Sequence, residues 1–341
     1  MITAPGEVAL VSEGYGPIGA DQVLAATVLS GISAGTETGW LRGVAPALHR
    51  QWKPERRIFV DGPGRALPIA PGYESVARVI ECGPQVEGVH VGDLIAVDRP
   101  HADWHLLDAA DAVGGLLSPE TTPEQAVFFI LARVALGAVH DAEIHAGDVV
   151  VVMGLGVVGL LAAQQARLNG ARVIAVDRYQ VRTDAAERLG METITATEGV
   201  DVAVALREMI GPDGADVAIE ASGSYTGLNE AIRCLRVTGT VSTVASYHGD
   251  QGGLRLGEEY HRNRITLRSS MTVNGCPQRE HPRWDKARLD ATAQAQILRG
   301  QVSIDALITH RIPFEDAAEA YGLLNERPEE TIKVVLTYDH H

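Results

Sequence analysis

Residues 154–159 read GLGVVG, and an acid, Asp177, stands 23 positions after the first glycine. Glycines at this spacing hold phosphate when a strand leads into them and a helix leads out. Gly154 permits the tight turn, Gly156 lets the backbone approach a pyrophosphate, and Gly159 lets the helix pack close to its strand. The amides of Leu155, Val157 and Val158 then face the phosphates, with the positive end of the helix dipole behind them. Asp177 falls where a carboxylate accepts hydrogen bonds from the adenosine ribose hydroxyls and repels a 2′-phosphate, which favours NAD over NADP. Arg178 beside it is either a partner for a 2′-phosphate or a solvated surface charge. The bland reading of the motif is a structural strand-turn-helix, and the acid at the ribose position argues against it.

The elements needed to position this loop are legible around it. VVVVM (149–153), VVGLLAAQQARLNG (157–170) and RVIAVD (172–177) form a βαβ unit whose strands are apolar, as a parallel sheet buried on both faces requires. The alternation continues with a helix at 183–189 closed by Gly190, then strands at 216–221, 240–244 and 266–270. The fold class is α/β, with a doubly wound parallel sheet. Before it, to about Val97, short β-type runs at 23–29 and 75–80 are punctuated by Gly and Pro. The polar stretch 44–71, containing HRQWKPERR, is too long for a turn and reads as an inserted loop or lid. A helix over 123–144 starts at the Thr122-Pro123 cap and stops before Gly147. After Asn274 come helices at 286–299 and 314–324, a segment at 304–312 and a final strand KVVLTY. Domain limits follow at 1–122, 123–273 and 274–341.

The 341 residues leave room for about two domains. With 45% hydrophobic and 21% charged residues the composition is that of an ordinary globular chain. A formal net charge of −15 repels phosphate backbones and anionic lipid, so nucleic acid and membrane are excluded as main partners and a neutral or cationic small molecule suits better. The longest central apolar run, Val149 to Met153, is far below the ~20 residues of a membrane helix, and the N-terminus lacks a secretory pattern. The reading is cytoplasmic. Cys82, Cys234 and Cys276 are odd in number and far apart, which argues for reduced, mostly buried thiols and against a disulfide framework or a CxxC metal knuckle. Only Lys53, Lys286 and Lys333 among the 29 basic residues are lysines.

GISAGTETGWLRG (31–43), PGYESVARVIECG (71–83), VHVGDLIAV, the segment around the glycine loop and the closing IKVVL together resemble the medium-chain dehydrogenase/reductase family, in the expected order over nearly the whole chain. The resemblance implies a GroES-like β-rich catalytic domain built from both chain ends and a central Rossmann domain. Zinc members carry a Cys where this chain has Ser33 or Ala34, a His where it has Tyr73, and a third ligand near Phe129. The four-cysteine lobe for a structural zinc is also missing. The expectation is an enzyme without metal, in which hydrogen-bond donors meet the charge that develops on a carbonyl oxygen. Glu37 or Glu74 with His101 or His105 could form another metal site, but such residues are more often surface or supporting groups.

The resemblance assigns roles to the replacements. The Tyr73 hydroxyl either points at the former metal position or its ring fills the hole. Thr36 matches a proton-relay hydroxyl, with turn stabilisation as the alternative. Glu37 is a base or a partner for backbone groups. The relay His of the family falls on Gly39. Glu74 is expected to pair with Lys333 near the cofactor phosphates, since either charge alone in a buried seam would carry a large desolvation cost. Ala221 and Ser222 match positions beside the adenosine half, and Val244, Ala245, Ser270 and Met271 match segments holding the nicotinamide. Arg133 and His248 are weaker candidates for the same cleft, and HRNR at 261–264 reads as a dimer contact or a solvated face.

SGISAGTE, EEYHRNRITLRSS and THRIPFEDAAEAY further resemble a zinc-free branch with bacteriochlorophyllide-type hydroxyethyl dehydrogenases and aminoglycoside-pathway reductases. That implies an NAD(P)-dependent alcohol/ketone oxidoreductase, as a homodimer, acting on a polar secondary alcohol such as a sugar, aminosugar or cyclitol of secondary metabolism. An enoyl or quinone reductase is the second reading, and an NAD-binding sensor without turnover the third.

Overall fold

The computed structural model describes residues 1–248, 252–271 and 284–339. Cys276, His340, His341 and the expected boundary at 273/274 lie outside the described residues. The chain divides into two compact units, Met1–Phe128 with Ile308–His341, and Phe129–Leu307.

The first unit begins with a short antiparallel pair, β1 (Ile2–Ala4) and β2 (Glu7–Val8), and then β3 (Gln22–Gly31). Helices α1 (Ala34–Leu41) and α2 (Pro46–His49) follow, then a hairpin of β4 (Gln51–Lys53) and β5 (Ile58–Val60). The polar stretch 44–71 is therefore a short helix and a hairpin. Next come β6 (Ser75–Cys82), β7 (Leu94–Val97), β8 (Trp104–Asp108), α3 (Ala109–Gly114) and α4 (Pro123–Ala126). Thr122 caps α4 as its sequence predicts, in a capping box with Gln125. The helix expected over 123–144 is in fact two, because α4 ends at Ala126.

In the second unit α5 (Phe129–Asp141) leads to β9 (Val149–Met153), α6 (Val157–Leu168), β10 (Arg172–Asp177), α7 (Gln180–Arg188) and β11 (Glu192–Thr195). Then follow α8 (Val202–Ile210), β12 (Ala215–Glu220), α9 (Tyr225–Cys234), β13 (Leu235–Thr243), β14 (Thr266–Ser269) and α10 (Lys286–Leu298). The six strands form one parallel sheet in the order β11-β10-β9-β12-β13-β14. The order reverses at β9, which places the glycine loop at the switch point where such sheets bind ligands. Val150, Val151 and Val152 of β9 are fully buried, as an apolar central strand between two layers of helix requires.

The chain returns to the first unit with β15 (Ile308–Pro313), α11 (Ala317–Glu326) and β16 (Lys333–Thr337). Its main sheet runs β15-β16-β3-β6-β7, with β8 also on β3. The return comes later than the sequence suggests. Helix α10 buries Leu289, Ala293 and Ile297, and Asp290 and Gln296 bond to Arg133 of α5 and Gln165 of α6, so it packs within the second unit. Cys234 is buried and Cys82 partly exposed, and both are free thiols. Among the described residues no helix is long and apolar enough to cross a membrane.

Candidate active site

In the first unit, Gly31 to Ser33 lead out of the buried strand β3 into α1, and Ser33 sits at the helix N-cap. Its hydroxyl accepts a hydrogen bond from the Tyr73 hydroxyl, and Thr36 Oγ1 lies 3.5 Å from the same phenol oxygen. Ser33 is buried, Tyr73 half-buried and Thr36 exposed, so the three hydroxyls run from the interior to the surface. Burial first, and then the negative charge of Glu74, push the Tyr73 phenol well above its ordinary value. It stays protonated and acts as a donor. The residue expected at the former metal position thus both fills space and presents a hydroxyl.

Glu37, on the buried face of α1, is fully engaged. It accepts from the Ser33 amide at 2.7 Å, from the Tyr321 hydroxyl, and from His101 Nε2 at 3.1 Å. Burial alone would raise its carboxyl, but the His101 charge and the hydrogen bonds from His101, Tyr321 and Ser33 prevail and hold it below the ordinary value. It organises the start of α1 and has no surface from which to take a proton directly, with a relative exposure of 1%. Glu74 forms the expected pair. Lys333 Nζ donates to Glu74 Oε2 at 2.6 Å and to the Ile32 carbonyl at 3.2 Å. Burial pushes the Glu74 carboxyl up to about 7 against the pull of the Lys333 ammonium. The Lys333 side chain has no exposed surface, so its charge is spent within the first unit. Gly31 is the residue that admits it, since a Cβ there would stand 2.6 Å from Lys333 Nζ.

The second unit carries the glycine loop. Gly154 has φ +91°, and a Cβ on it would meet the Ser222 amide at 2.6 Å. A Cβ on Gly159 would lie 1.8 Å from the Gly154 carbonyl, whereas around Gly156 a Cβ would find open space. That distribution fits a pyrophosphate cradle: two glycines required by packing and one left open to a ligand. Leu155, Val157 and Gly159 are buried and Val158 is partly exposed. Asp177 accepts from the Leu155 amide at 2.7 Å and from the Tyr179 amide at 2.9 Å, which ties the acid to the loop. Arg178 turns away from Asp177 and lies over the Tyr179 ring, 4.5 Å from its centroid. The guanidinium beside Asp177 is instead that of Arg182, at 3.5 Å. Arg182 lies five positions after Asp177 on the first turn of α7, a separation that no regular helix spacing flags in the sequence.

The remaining cofactor candidates end the neighbouring strands. The Ala221 amide bonds the Met153 carbonyl at 2.8 Å and that of Val244 the Glu220 carbonyl at 3.0 Å. Ser222 and Tyr247 both give their hydroxyl protons to the buried carboxylate of Glu220, which joins the turns after β12 and β13. Ala245 is partly exposed in that second turn. Ser270 bonds Asp141 at 2.6 Å, and Met271 is exposed. Phe129 is buried at the start of α5, and Arg133 is paired to Asp290 at 2.8 Å. Residues 261, 262 and 264 of HRNR are exposed. Glu220, Tyr247, Tyr321 and His101 were not assigned these structural roles by sequence, since Tyr247 meets Glu220, and Tyr321 and His101 meet Glu37, only across long stretches of chain.

The donor set near Tyr73 does not fit zinc. Hydroxyls stand where thiolate or imidazole is needed, and both His101 ring nitrogens are taken, Nε2 by Glu37 and Nδ1 by Ser30 at 2.8 Å. Among the described residues no group of three or more His, Cys, Asp and Glu could hold a metal ion.

Comparisons with known proteins agree with the fold. Residues 157–288 match the family described as "Zinc-binding dehydrogenase". The D-guloside 3-dehydrogenase of Escherichia coli K12 is 31% identical over 99% of both chains. Among solved structures, an Escherichia coli oxidoreductase/dehydrogenase of unknown specificity superposes with a TM-score of 0.76 at 18% identity, covering 99% of this chain and 98% of its own. A putative zinc-binding dehydrogenase of Sinorhizobium meliloti bound to NADP gives 0.75 at 20% identity, covering 98% and 97%.

Proposed function

The chain belongs to the zinc-type alcohol dehydrogenase-like medium-chain dehydrogenase/reductase family and is an NAD(P)-dependent oxidoreductase; from that premise we propose that it works without zinc, linking NAD to a polar secondary alcohol and its ketone. The observation that carries this reading is the Tyr73, Ser33 and Thr36 hydroxyl chain. The nicotinamide, when bound, supplies or accepts the hydride. Gly154 to Gly159 would hold the pyrophosphate, and Asp177 the adenosine ribose, which favours NAD over NADP.

The protein's own groups manage the proton. In ketone reduction, negative charge grows on the carbonyl oxygen as hydride reaches the carbon. The Tyr73 phenol, kept protonated, rotates its O–H from the Ser33 hydroxyl, its acceptor in the free enzyme, to that oxygen and passes its proton to it. Thr36, exposed and next to the phenol oxygen, restores the proton from solvent. In alcohol oxidation the same steps run backwards, with the hydroxyl proton leaving through Tyr73 and Thr36. A donor of this kind contributes about 10²- to 10³-fold in kcat.

The guloside-oxidising relative supports a sugar, aminosugar or cyclitol as substrate, and the net charge of −15 suits one that is neutral or cationic. The test is NAD reduction against a panel of glycosides, polyols and aminocyclitols, and NADH oxidation against ketones and enones, after exhaustive treatment with a zinc chelator. Turnover of a polyol that survives the chelator supports the reading, and turnover of enones alone overturns it.

A further inference from the structure

His101 belongs to none of the motifs, yet it meets Glu37, which bonds the Ser33 amide, and Gly72, which precedes Tyr73. Its side chain is only 4% exposed. Nε2 lies 3.1 Å from Glu37 Oε2, and Glu37 is acceptor-only as a carboxylate, so this nitrogen carries the proton and donates. Glu37 Oε1 in turn accepts the Ser33 amide at 2.7 Å, and the Ser33 hydroxyl accepts from Tyr73. On the other side the ring packs against Gly72, the residue before Tyr73. A Cβ on Gly72 would meet its Cδ2 at 2.6 Å, and Gly72 has φ +105°, a backbone that other residues rarely adopt. The ring itself is fixed from behind: Nδ1 is 2.8 Å from Ser30 Oγ, which is 2.8 Å from the Tyr338 hydroxyl. Ser30 lies on β3 and Tyr338 directly follows β16, so the imidazole is anchored to two adjacent strands of the sheet.

We infer that His101 is the positioning residue of the hydroxyl chain: clamped by Ser30, it holds the start of α1 through Glu37 and the Tyr73 backbone through Gly72, and so sets the Ser33 hydroxyl against the Tyr73 phenol. His101 touches no reacting atom in this assignment. Its removal keeps all three hydroxyl groups but lets α1 and the Tyr73 segment ahead of β6 drift apart, and small errors in the placement of a donor lower turnover without altering how cofactor binds. The inference rests on the proposed role of Tyr73.

Two variants separate the interactions. His101→Phe keeps a ring against Gly72 and loses both nitrogens, while His101→Gln keeps a donor near the Nε2 position. On whichever polyol of the panel is turned over, His101→Phe lowers kcat at least about tenfold with the NADH dissociation constant and KM unchanged, His101→Gln recovers most of it, and His101→Phe has no further effect on a Tyr73→Phe background. NADH binding by fluorescence confirms the fold. If His101→Phe does not fold, Ser30→Ala, which frees Nδ1, is read in the same way. An unchanged kcat, or full additivity with Tyr73→Phe, overturns the inference while leaving the role of Tyr73 standing; no effect of Tyr73→Phe itself overturns both. If no panel compound is turned over, the crystal structure of His101→Phe decides: loss of the Ser33–Tyr73 contact supports the inference, and its retention overturns it.

Discussion

Replacing Lys333 by Met removes one charge of a pair whose side chains are 0% and 1% exposed and whose N–O distance is 2.6 Å. Breaking so buried a pair leaves Glu74 uncompensated and costs about 3–5 kcal/mol, against at most about 1 for an exposed pair. The cost depends on pH. The folded Glu74 carboxyl is raised to about 7, above its ordinary 4.5, so the folded state holds a proton that the unfolded chain has released. Stability from this group is therefore fully present below pH 4.5 and is lost as pH rises through about 7. Without Lys333 the folded carboxyl keeps its proton to higher pH still. At about 1.4 kcal/mol per pH unit, the variant then loses more than the wild type between pH 6 and 8, and its deficit widens by about 1 kcal/mol. Urea unfolding followed by tryptophan fluorescence reports mainly on this unit, because Trp40, Trp52 and Trp104, three of the four tryptophans, lie in it. Adding Glu74→Leu to Lys333→Met should recover most of the loss, since no charge is then stranded. A deficit below about 1 kcal/mol, or one that does not change with pH, would refute the argument.

Three further outcomes follow from the same structure. Gly159→Ala places a Cβ 1.8 Å from the Gly154 carbonyl, so NADH fluorescence titration should show affinity reduced at least about tenfold. Asp177→Ser removes the carboxylate proposed to hold the ribose, and the ratio of NAD to NADP affinity by calorimetry should fall by at least about tenfold. His105 is held neutral, its pKa lowered to about 4 by burial first and then by the charges of Arg99 and His101. Its contribution is present above pH 6.5 and lost as pH falls through about 4, about 3 kcal/mol in all, so His105→Phe should flatten the acid limb of the stability curve measured by urea unfolding.

The second unit was the more legible half because its signals are local. VVVVM and RVIAVD became β9 and β10 at the residues predicted, since an apolar run bounded by glycine leaves one period and one register. Gly190 closes α7 with φ +77°, the left-handed turn that glycine is chosen for. The break at Ala126 was not legible: Val127 and Phe128 are buried, so the apolar spacing runs on through residues that are not helical. The Glu74–Lys333 pair was foreseen across 259 residues only through family resemblance. The Glu37–His101–Ser30–Tyr338 network had no such guide, because its members come from β3, α1, the turn before β8 and the residue after β16, which only the folded sheet brings together. Likewise the return to the first unit at Ile308 depends on α10 finding α5 and α6, a packing choice that periodicity does not encode.

The most direct test of metal-free hydride transfer is zinc stoichiometry measured by elemental analysis on the same chelator-treated sample whose turnover is recorded, beside a Tyr73→Phe variant. The account predicts far less than one zinc per chain with undiminished kcat, and a fall of about 10²- to 10³-fold in the variant. One zinc per chain, with activity that disappears on its removal and returns on its addition, would contradict it.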